Sequence, residues 1–224
     1  MNERSGTAPY RREDPWRLVA WLTLVAIFIA LQYGGSSQKG EPLYTWSFFT
    51  GSVIQEAVLL LIVLAIAGFS IRRIALRAPD RRWRAAGLGL ACFVAIEVFG
   101  YVYAALAHPG NEQHLTPSHW EARHAWAYVA NATVICTAVP FVEEVTFRGL
   151  GFTLLRPYSR WFAIVAVGVL FGLAHGLLIS LPILIFFGAT LAWLRDKTDS
   201  VLPGMVVHGT FNLIALVAAV TIQR

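Results

Sequence analysis

Long apolar segments alternate with short gaps rich in Gly, Pro, Arg and Asn along almost the whole chain. Apolar runs of about 17 to 25 residues recur, each long enough to cross a hydrocarbon core of about 30 Å as a helix. We place the predicted spans at residues 16–33, 50–69, 85–107, 124–138, 139–155, 161–179, 181–194 and 203–221. Pro140 lies between the fourth and fifth spans, which form either two helices or one helix kinked at this proline. The pattern therefore predicts an all-α polytopic transmembrane bundle of seven or eight helices.

Composition supports a membrane protein. The 224 residues are 57% hydrophobic and 14% charged, with a mean hydropathy of +0.59. A soluble domain of this composition would lack polar groups for its surface. We therefore expect lipids as partners and no separate soluble domain.

The arginines predict topology. The net charge of +5 comes mainly from arginines in the polar gaps, which suits lipid headgroups and topology control and argues against a nucleic-acid partner. One group precedes or begins the first span, and the other fills the gap 70–84. The first comprises Arg4, Arg11, Arg12 and Arg17; the second comprises Arg72, Arg73, Arg77, Arg81, Arg82 and Arg84. Both are expected in the cytoplasm, with the loop 34–49 outside. The side of the C-terminus depends on whether 124–155 crosses once or twice.

The first span is expected to be retained. A basic leader before an apolar run is also typical of a signal peptide, but this run is long and no A-x-A-like site follows it. We expect a multi-pass protein of a prokaryotic cell membrane with a cytoplasmic N-terminus.

Neither the two cysteines nor a group of four histidines has the spacing of a disulfide or metal site. Cys92 and Cys136 lie in apolar segments without C-x-x-C spacing, which disfavours disulfides and thiolate metal sites. Four histidines in or beside the gap 108–123 match no compact zinc-ligand pair, so we expect a histidine-rich external loop. They are His108, His114, His119 and His124.

Three ionisable residues in one apolar segment demand an explanation. A charged group in a membrane helix costs about 2.5 to 3.5 kcal/mol on insertion scales. Glu144 and Arg148 are spaced i and i+4, which predicts a helical ion pair. Glu143 points about 100° away from Glu144 around a helix and has no partner nearby in sequence. We therefore expect Glu144 to be structural and Glu143 to be available as a proton acceptor.

Two further apolar segments add polar groups. His175 lies among the small residues of one span, and His208 and Asn212 share one face of the last span at i and i+4. A glutamate base, a histidine and two hydrogen-bond donors are what amide hydrolysis by an activated water requires. Thr146 and Cys136 lack a nucleophile context, which disfavours covalent catalysis. A zinc site formed by Glu143, His175 and His208 stays open, although the usual H-E-x-x-H helix is missing.

The three motifs Glu143-Glu144-x-x-x-Arg148, Phe171-x-x-x-His175 and His208-x-x-x-Asn212 resemble the signature of the CPBP family. This family comprises CAAX proteases and bacteriocin-processing enzymes, also called Abi proteins, and includes the type II CAAX prenyl endopeptidases. The resemblance covers about residues 120 to 221.

The resemblance implies a role for each of these residues. Glu143 would activate the water, His175 would assist it, and His208 with Asn212 would stabilise the oxyanion. Glu144 and Arg148 would orient the site. We favour a metal-free glutamate mechanism without a cofactor over a zinc enzyme.

The expected function follows from these roles. It is cleavage near the terminus of a membrane-anchored or lipidated protein, by CAAX-type, sorting-signal or bacteriocin processing. We divide the chain into a cytoplasmic basic leader (1–15), N-terminal transmembrane helices (16–119) and a CPBP/Abi-like catalytic membrane core (120–221).

Two non-enzymatic functions are alternatives. In an immunity factor or scaffold the polar cluster would only hold helices together, and in a transporter it would be a proton-coupled site, although no internal repeat is evident. Two further glutamates lie in apolar spans. Glu97 is either a contact near the cavity or a partner for another helix, and Glu56 is expected near the membrane interface.

Overall fold

The structure, a computed structural model, describes residues 14–34, 40–108, 112, 117 and 120–221. Within these residues there are helices and turns and no strand, so the predicted all-α fold is confirmed. The helices are α1 (Pro15–Gly34), α2 (Trp46–Ala67), α3 (Arg82–Ala107), α4 (Ala125–Cys136), α5 (Ala138–Glu143), α6 (Phe152–Leu155), α7 (Arg160–Leu173), α8 (Leu181–Thr198) and α9 (Leu202–Thr221). The basic leader with Arg4, Arg11 and Arg12 lies outside the described residues, as do His114 and His119.

One long element contains the fourth and fifth predicted spans. From Ala122 to Leu155 the chain forms one element of 34 residues, which is interrupted at Thr137. A π-helical turn, Glu144–Gly151, joins α5 directly to α6. The described part of the chain therefore has seven long helical elements, the lower of the two predicted numbers. Five of them are long and apolar enough to cross a membrane: Pro15–Gly34, Trp46–Ala67, Arg82–Ala107, Ala122–Leu155 and Leu202–Thr221.

The break between α4 and α5 lies near Pro140, as predicted. Thr137 leaves helical geometry at φ −126° and ψ −66°, and Pro140 has no N–H to donate to the Cys136 carbonyl. Helix α9 covers the break: Asn212 Nδ2 donates to the Ile135 carbonyl at 2.8 Å. A Cβ on Gly209 would lie 2.5 Å from the Cys136 oxygen, so only glycine permits this approach.

The connectors of the bundle lie at two opposite faces. One, which we name the arginine face, carries the gaps after α2, α6 and α8. There Arg77 pairs with Asp199, and Arg160 pairs with Asp196 at 2.8 Å. Arg17 at the start of α1 also lies there, because its guanidinium donates to the Ile66 carbonyl at the end of α2.

The other face, which we name the distal face, carries the segments 40–45 and 120–124 and the α7–α8 connector. The Tyr44 hydroxyl accepts a hydrogen bond from the Glu121 N–H at 3.2 Å. Glu112 accepts hydrogen bonds from the N–H and hydroxyl of Ser180 at 2.7 and 2.6 Å. Burial works to raise the pKa of Glu112, but these hydrogen bonds outweigh it and hold the pKa below its ordinary value of 4.5.

The seven elements run alternately between these faces. Helix α1 begins at the arginine face, so α9, the seventh element, ends at the distal face. The sequence alone does not determine at which face of the bundle α9 ends. Because Ala122–Leu155 crosses the bundle once, α9 ends at the face opposite to the start of α1. The two ends of the described bundle therefore lie on opposite faces.

Exposed tryptophans mark both ends of the helices, as is usual at the two membrane interfaces. Trp83 and Trp161 are 91% and 62% exposed at the arginine face. Trp46 and Trp126 are 57% and 80% exposed at the distal face. Their positions agree with a bundle that crosses the bilayer.

Close packing fixes the π-helical turn against the N-terminal helices. All eight of its residues are buried. A Cβ on Gly149 would lie 2.5 Å from the Ile74 carbonyl oxygen, and one on Gly151 would overlap the Trp21 ring. Trp21 also donates its indole N–H to the Thr146 carbonyl at 3.0 Å, which satisfies a carbonyl of the altered turn. Helix α1 and the gap 70–84 thus hold the segment that carries the glutamates.

Candidate active site

A buried ion pair forms the base of the site. Arg148 Nη1 lies 2.9 Å from Glu144 Oε1, with the side chains 0% and 1% exposed, which confirms the predicted pairing. The same carboxylate oxygen lies 3.2 Å from His208 Nδ1. Helix α9 approaches closely here, since a Cβ on Gly204 would lie 2.7 Å from Glu144 Oε2. Glu144 is therefore committed to two partners.

Phe171 is the aromatic residue around which this pair is packed. The Arg148 guanidinium lies 4.0 Å above its ring centroid, within the range of a cation–π interaction. The rings of His175 and His208 lie 4.6 and 5.9 Å from the same ring. Phe187 of α8 stacks on it at 5.7 Å and contacts His208 at 4.9 Å. Phe171 thus does more than mark the spacing to His175, because it contacts three polar members of the site.

Glu143 lies on the other side of His208. Its Oε2 is 3.6 Å from His208 Nε2, and the side chain is 15% exposed, whereas that of Glu144 is 1% exposed. Oε2 is buried and has no hydrogen-bond partner among the described residues. Glu144 Oε2 is also buried without a hydrogen-bond partner among the described residues, so the two adjacent glutamates differ in their partners and exposure: Glu144 pairs with Arg148 and contacts His208 at 3.2 Å, whereas Glu143 has only His208 at 3.6 Å and is more exposed.

His175 follows the end of α7, where the chain turns. Its Nδ1 lies 2.8 Å from the Phe171 carbonyl oxygen, which can only accept, so Nδ1 carries the proton. Nε2 of the neutral ring is then left as an acceptor. Gly176 adopts φ +67° immediately afterwards and redirects the chain toward α8.

A cavity of about 150 Å³ brings three of the predicted residues together. His175, His208 and Asn212 line it, with Phe171 and Phe187. Glu143, Glu144 and Arg148 do not line it and lie behind His208. One amide hydrogen of Asn212 is used on the Ile135 carbonyl, which leaves the second for a ligand. A larger cavity of about 540 Å³ between α3 and α9 contains none of the six residues.

Glu56 is a buried residue that the sequence placed wrongly. Thr45 caps α2 by accepting from the Phe48 N–H, so the helix begins at Trp46 and Glu56 is the eleventh of its 22 residues. Glu56 is 7% exposed and lies close enough to Glu143 for the two carboxyl groups to interact electrostatically. The expectation of an interfacial Glu56 is therefore wrong. The cost of a charge in an apolar helix would have indicated a buried role, had the start of α2 been known.

Glu97 lies apart from the cluster, and the cluster itself is not arranged as a metal site. Glu97 of α3 is half-buried and does not line the cavity. In the part of the chain that is described, no group of three or more His, Cys, Asp and Glu side chains is arranged to hold a metal ion. His208 faces a glutamate with each ring nitrogen and His175 uses Nδ1 on a carbonyl, so this donor set does not converge on one point.

Residues 125–214 match the family model described as type II CAAX prenyl endopeptidase Rce1-like. The match covers 90 of the 224 residues and supports a CPBP-type domain in this part of the chain. The match runs from the start of α4 into α9 and includes all six predicted site residues. Comparison with curated proteins and with solved structures gives no match. CPBP proteins of this type are proteases, so the match supports an integral membrane CAAX-type endopeptidase with a membrane-associated protein or peptide as substrate.

Proposed function

We propose that the CPBP domain hydrolyses one peptide bond near the terminus of a membrane-anchored or lipidated protein, by means of a water activated by Glu143. The observation that supports this is the different commitment of two adjacent glutamates. Each carboxylate has a buried Oε2 without a hydrogen-bond partner in the described structure. Glu144 Oε1, however, is shared by Arg148 and His208, while Glu143 lies 3.6 Å from His208 Nε2, beyond hydrogen-bond distance, and its side chain is 15% exposed against 1% for Glu144. A partly exposed carboxylate without an ion-pair partner, in contact with a histidine that lines the cavity, suits a general base.

In the proposed reaction Glu143 takes a proton from water, and the water oxygen bonds to the peptide carbonyl carbon. The carbonyl oxygen becomes an oxyanion, which the free amide hydrogen of Asn212 stabilises together with the Nε2–H of the protonated His208 ring. That N–H is available because Nε2 lies 3.6 Å from Glu143, beyond hydrogen-bond distance. His175 Nε2 accepts a hydrogen bond from the water and orients it. The C–N bond then breaks as the proton moves from Glu143 to the leaving nitrogen, which regenerates the carboxylate.

In this proposal Glu144 and Arg148 do not contact the substrate but hold His208 in place. Their ion pair fixes the carboxylate that holds His208 Nδ1, so the imidazole keeps one orientation. The stacking of Arg148 on Phe171 ties the same unit to α7. Rigid placement of such groups contributes strongly to catalysis.

The water is proposed to be free and not bound to zinc. The described residues hold no three-ligand group, and structural and catalytic zinc sites in proteins use at least three protein ligands. Exhaustive chelation of the purified protein is expected to leave cleavage unchanged. Loss of cleavage that only zinc restores would overturn this part of the proposal.

The test uses Glu143→Gln in the full chain, with Glu97→Gln as a matched control because Glu97 is also a glutamate in an apolar helix but, unlike Glu143, is not paired with His208. Both proteins are incubated in lipid–detergent micelles with proteome-derived and lipidated peptides, and new termini are identified by mass spectrometry. Glu143→Gln is expected to slow cleavage by about 10²-fold or more without lowering the melting temperature. Undiminished cleavage would refute the assignment, and a large fall in melting temperature for Glu143→Gln alone would favour a structural cluster.

We further propose a prokaryotic cell membrane as the location, with the N-terminus in the cytoplasm. The arginines of the gap 70–84 and Arg17 share one face of the bundle, and such residues favour the cytoplasmic side.

A further inference from the structure

The larger cavity between α3 and α9, which we name the α3–α9 cavity, is separate from the candidate active site. Its volume is about 540 Å³, and its lining residues other than Arg82 and Thr210 are apolar. Arg82 and Leu202 are the first residues of the two helices, and both helices begin at the arginine face. The α3–α9 cavity therefore starts at that face and runs into the bundle between two parallel helices.

The depth and the walls of this cavity suit a lipid chain. Along α3 the lining extends from Arg82 to Phe93, a helix rise of about 16 Å, and half of a hydrocarbon core of roughly 30 Å is about 15 Å. Gly89 and Val207 are buried at the inner wall, where a Cβ on Gly89 would lie 3.5 Å from the valine side chain. The lining residue Leu90 is exposed on the outside of the bundle. The cleft is thus one leaflet deep and accessible from the bilayer.

Arg82 is the one charged side chain in the lining of the cavity. It is exposed and has no hydrogen-bond or ion-pair partner among the described residues, whereas Arg77 of the same gap pairs with Asp199. The neighbouring Trp83 is 91% exposed, and exposed tryptophans mark the level of the lipid headgroups. A free guanidinium at this level is a good ligand for a phosphate group.

We propose that the α3–α9 cavity binds one anionic phospholipid, with an acyl chain between the two helices and the phosphate at Arg82. The charge around the opening supports an anionic headgroup, because residues 79–84 contain three arginines and one aspartate. Basic pockets between transmembrane helices are known to bind the headgroups of anionic lipids. Such a site is independent of the peptidase proposed above and of the side of the membrane on which the arginine face lies.

The bound lipid would pack against the part of α9 that carries His208. Val207 lines the α3–α9 cavity, while His208 is 4% exposed and lines only the smaller cavity. An acyl chain in contact with Val207 would therefore support α9 from the side opposite to the candidate active site. Because a ligand that binds only the folded protein stabilises it, the lipid is expected to raise the melting temperature.

Two phospholipids with the same chains test the site. The full chain is purified in a non-ionic detergent, stripped of lipid, and titrated with dioleoyl phosphatidylglycerol, which is anionic, or with dioleoyl phosphatidylcholine, which is zwitterionic. Native mass spectrometry measures the bound lipid, and the melting temperature is read in parallel. Arg82→Gln removes the proposed phosphate ligand, and Arg84→Gln is its matched control, because Arg84 is an exposed arginine of the same turn that does not line the cavity.

A second pair of variants tests the apolar part of the site. Ala86→Trp places a large side chain in the cavity, and Val94→Trp is its matched control, because Val94 is an exposed residue of α3 outside the cavity. Ala86→Trp is expected to weaken the binding of phosphatidylglycerol and to abolish its effect on the melting temperature. Val94→Trp is expected to change neither. If Ala86→Trp does not fold, the two arginine variants decide.

The parent protein is expected to bind one phosphatidylglycerol about tenfold more tightly than phosphatidylcholine, and Arg82→Gln, but not Arg84→Gln, to remove this preference. Equal affinities for the two lipids, equal effects of the two arginine variants, or unchanged binding in a folded Ala86→Trp would overturn the proposal. So would displacement of the phospholipid by inorganic phosphate, which would leave the acyl chain without a role. Displacement by an equal concentration of a neutral lipidated peptide would assign the cavity to a substrate instead.

Discussion

Replacing Arg148 by methionine is expected to destabilise the bundle strongly. The Arg148 and Glu144 side chains are 0% and 1% exposed and lie 2.9 Å apart, so removal of the cation leaves a buried carboxylate without its charge partner. Breaking one member of a buried pair costs about 3–5 kcal/mol. Methionine keeps much of the arginine's apolar contact, so the lost charge dominates.

The double variant Glu144→Gln with Arg148→Met separates charge from packing. Because both charges are then absent, the desolvation cost disappears and the loss of stability is expected to be well below that of Arg148→Met alone. Arg160→Met is a matched control, since Arg160 pairs with Asp196 at 2.8 Å but is 31% exposed. Its replacement is expected to cost only about 0–1 kcal/mol, because Arg160 is partly exposed and Asp196, although 9% exposed, keeps Arg156 as a partner at 3.0 Å.

Unfolding by SDS titration in mixed micelles, followed by tryptophan fluorescence, measures these differences. The expected order of stability loss is Arg148→Met, then the double variant, then Arg160→Met. Equal losses of under about 1 kcal/mol for Arg148→Met and Arg160→Met would refute the burial of the pair and the reasoning built on it.

Two further substitutions test the packing of α9 and the hydrogen bonds at the distal face. Gly209→Ala places a Cβ 2.5 Å from the Cys136 carbonyl oxygen and is expected to lower stability by about 1–3 kcal/mol in the same titration, whereas Gly87→Ala, with open space around it, is expected to cost nothing. Glu112→Gln is expected to lower the melting temperature slightly at pH 7, because the carboxylate accepts two hydrogen bonds from Ser180. Since the folded pKa of Glu112 is lowered, its contribution is complete above the ordinary value of 4.5 and is lost as the pH falls through the folded pKa, so the variant and the parent should converge in acid. A gap that persists unchanged at low pH would contradict this account.

The spans and the central ion pair could be predicted because both depend on local chemistry. A run of apolar residues long enough to cross the bilayer and an i, i+4 pair of opposite charges are visible in the sequence. Pro140 also indicated the position of a helix break, because the loss of a backbone N–H at proline is a local property. Whether the chain then turns back or continues depends on packing against Gly209 and Asn212, which lie about 70 residues further along.

The parts of the site that the sequence missed depend on contacts between distant segments. Phe171 looked like a spacing marker until Arg148 and the rings of α8 were seen to pack on it. Glu56 was misplaced because its depth depends on where Thr45 starts α2. The π-helical turn has no sequence signature that we recognised, since it is held by Trp21 from a helix more than 100 residues away.

The π-helical turn also affects how this chain aligns with its relatives. A π turn holds more residues than an α turn, so everything after Gly151 is rotated relative to an uninterrupted helix. Consider a homologue in which this region is a regular α-helix. It needs one residue fewer between its equivalents of Glu144 and Phe152 for those two side chains to point in the same relative directions as they do here. A one-residue gap opened between these positions therefore records a change of helical phase, and closing it would align glutamates that point in different directions.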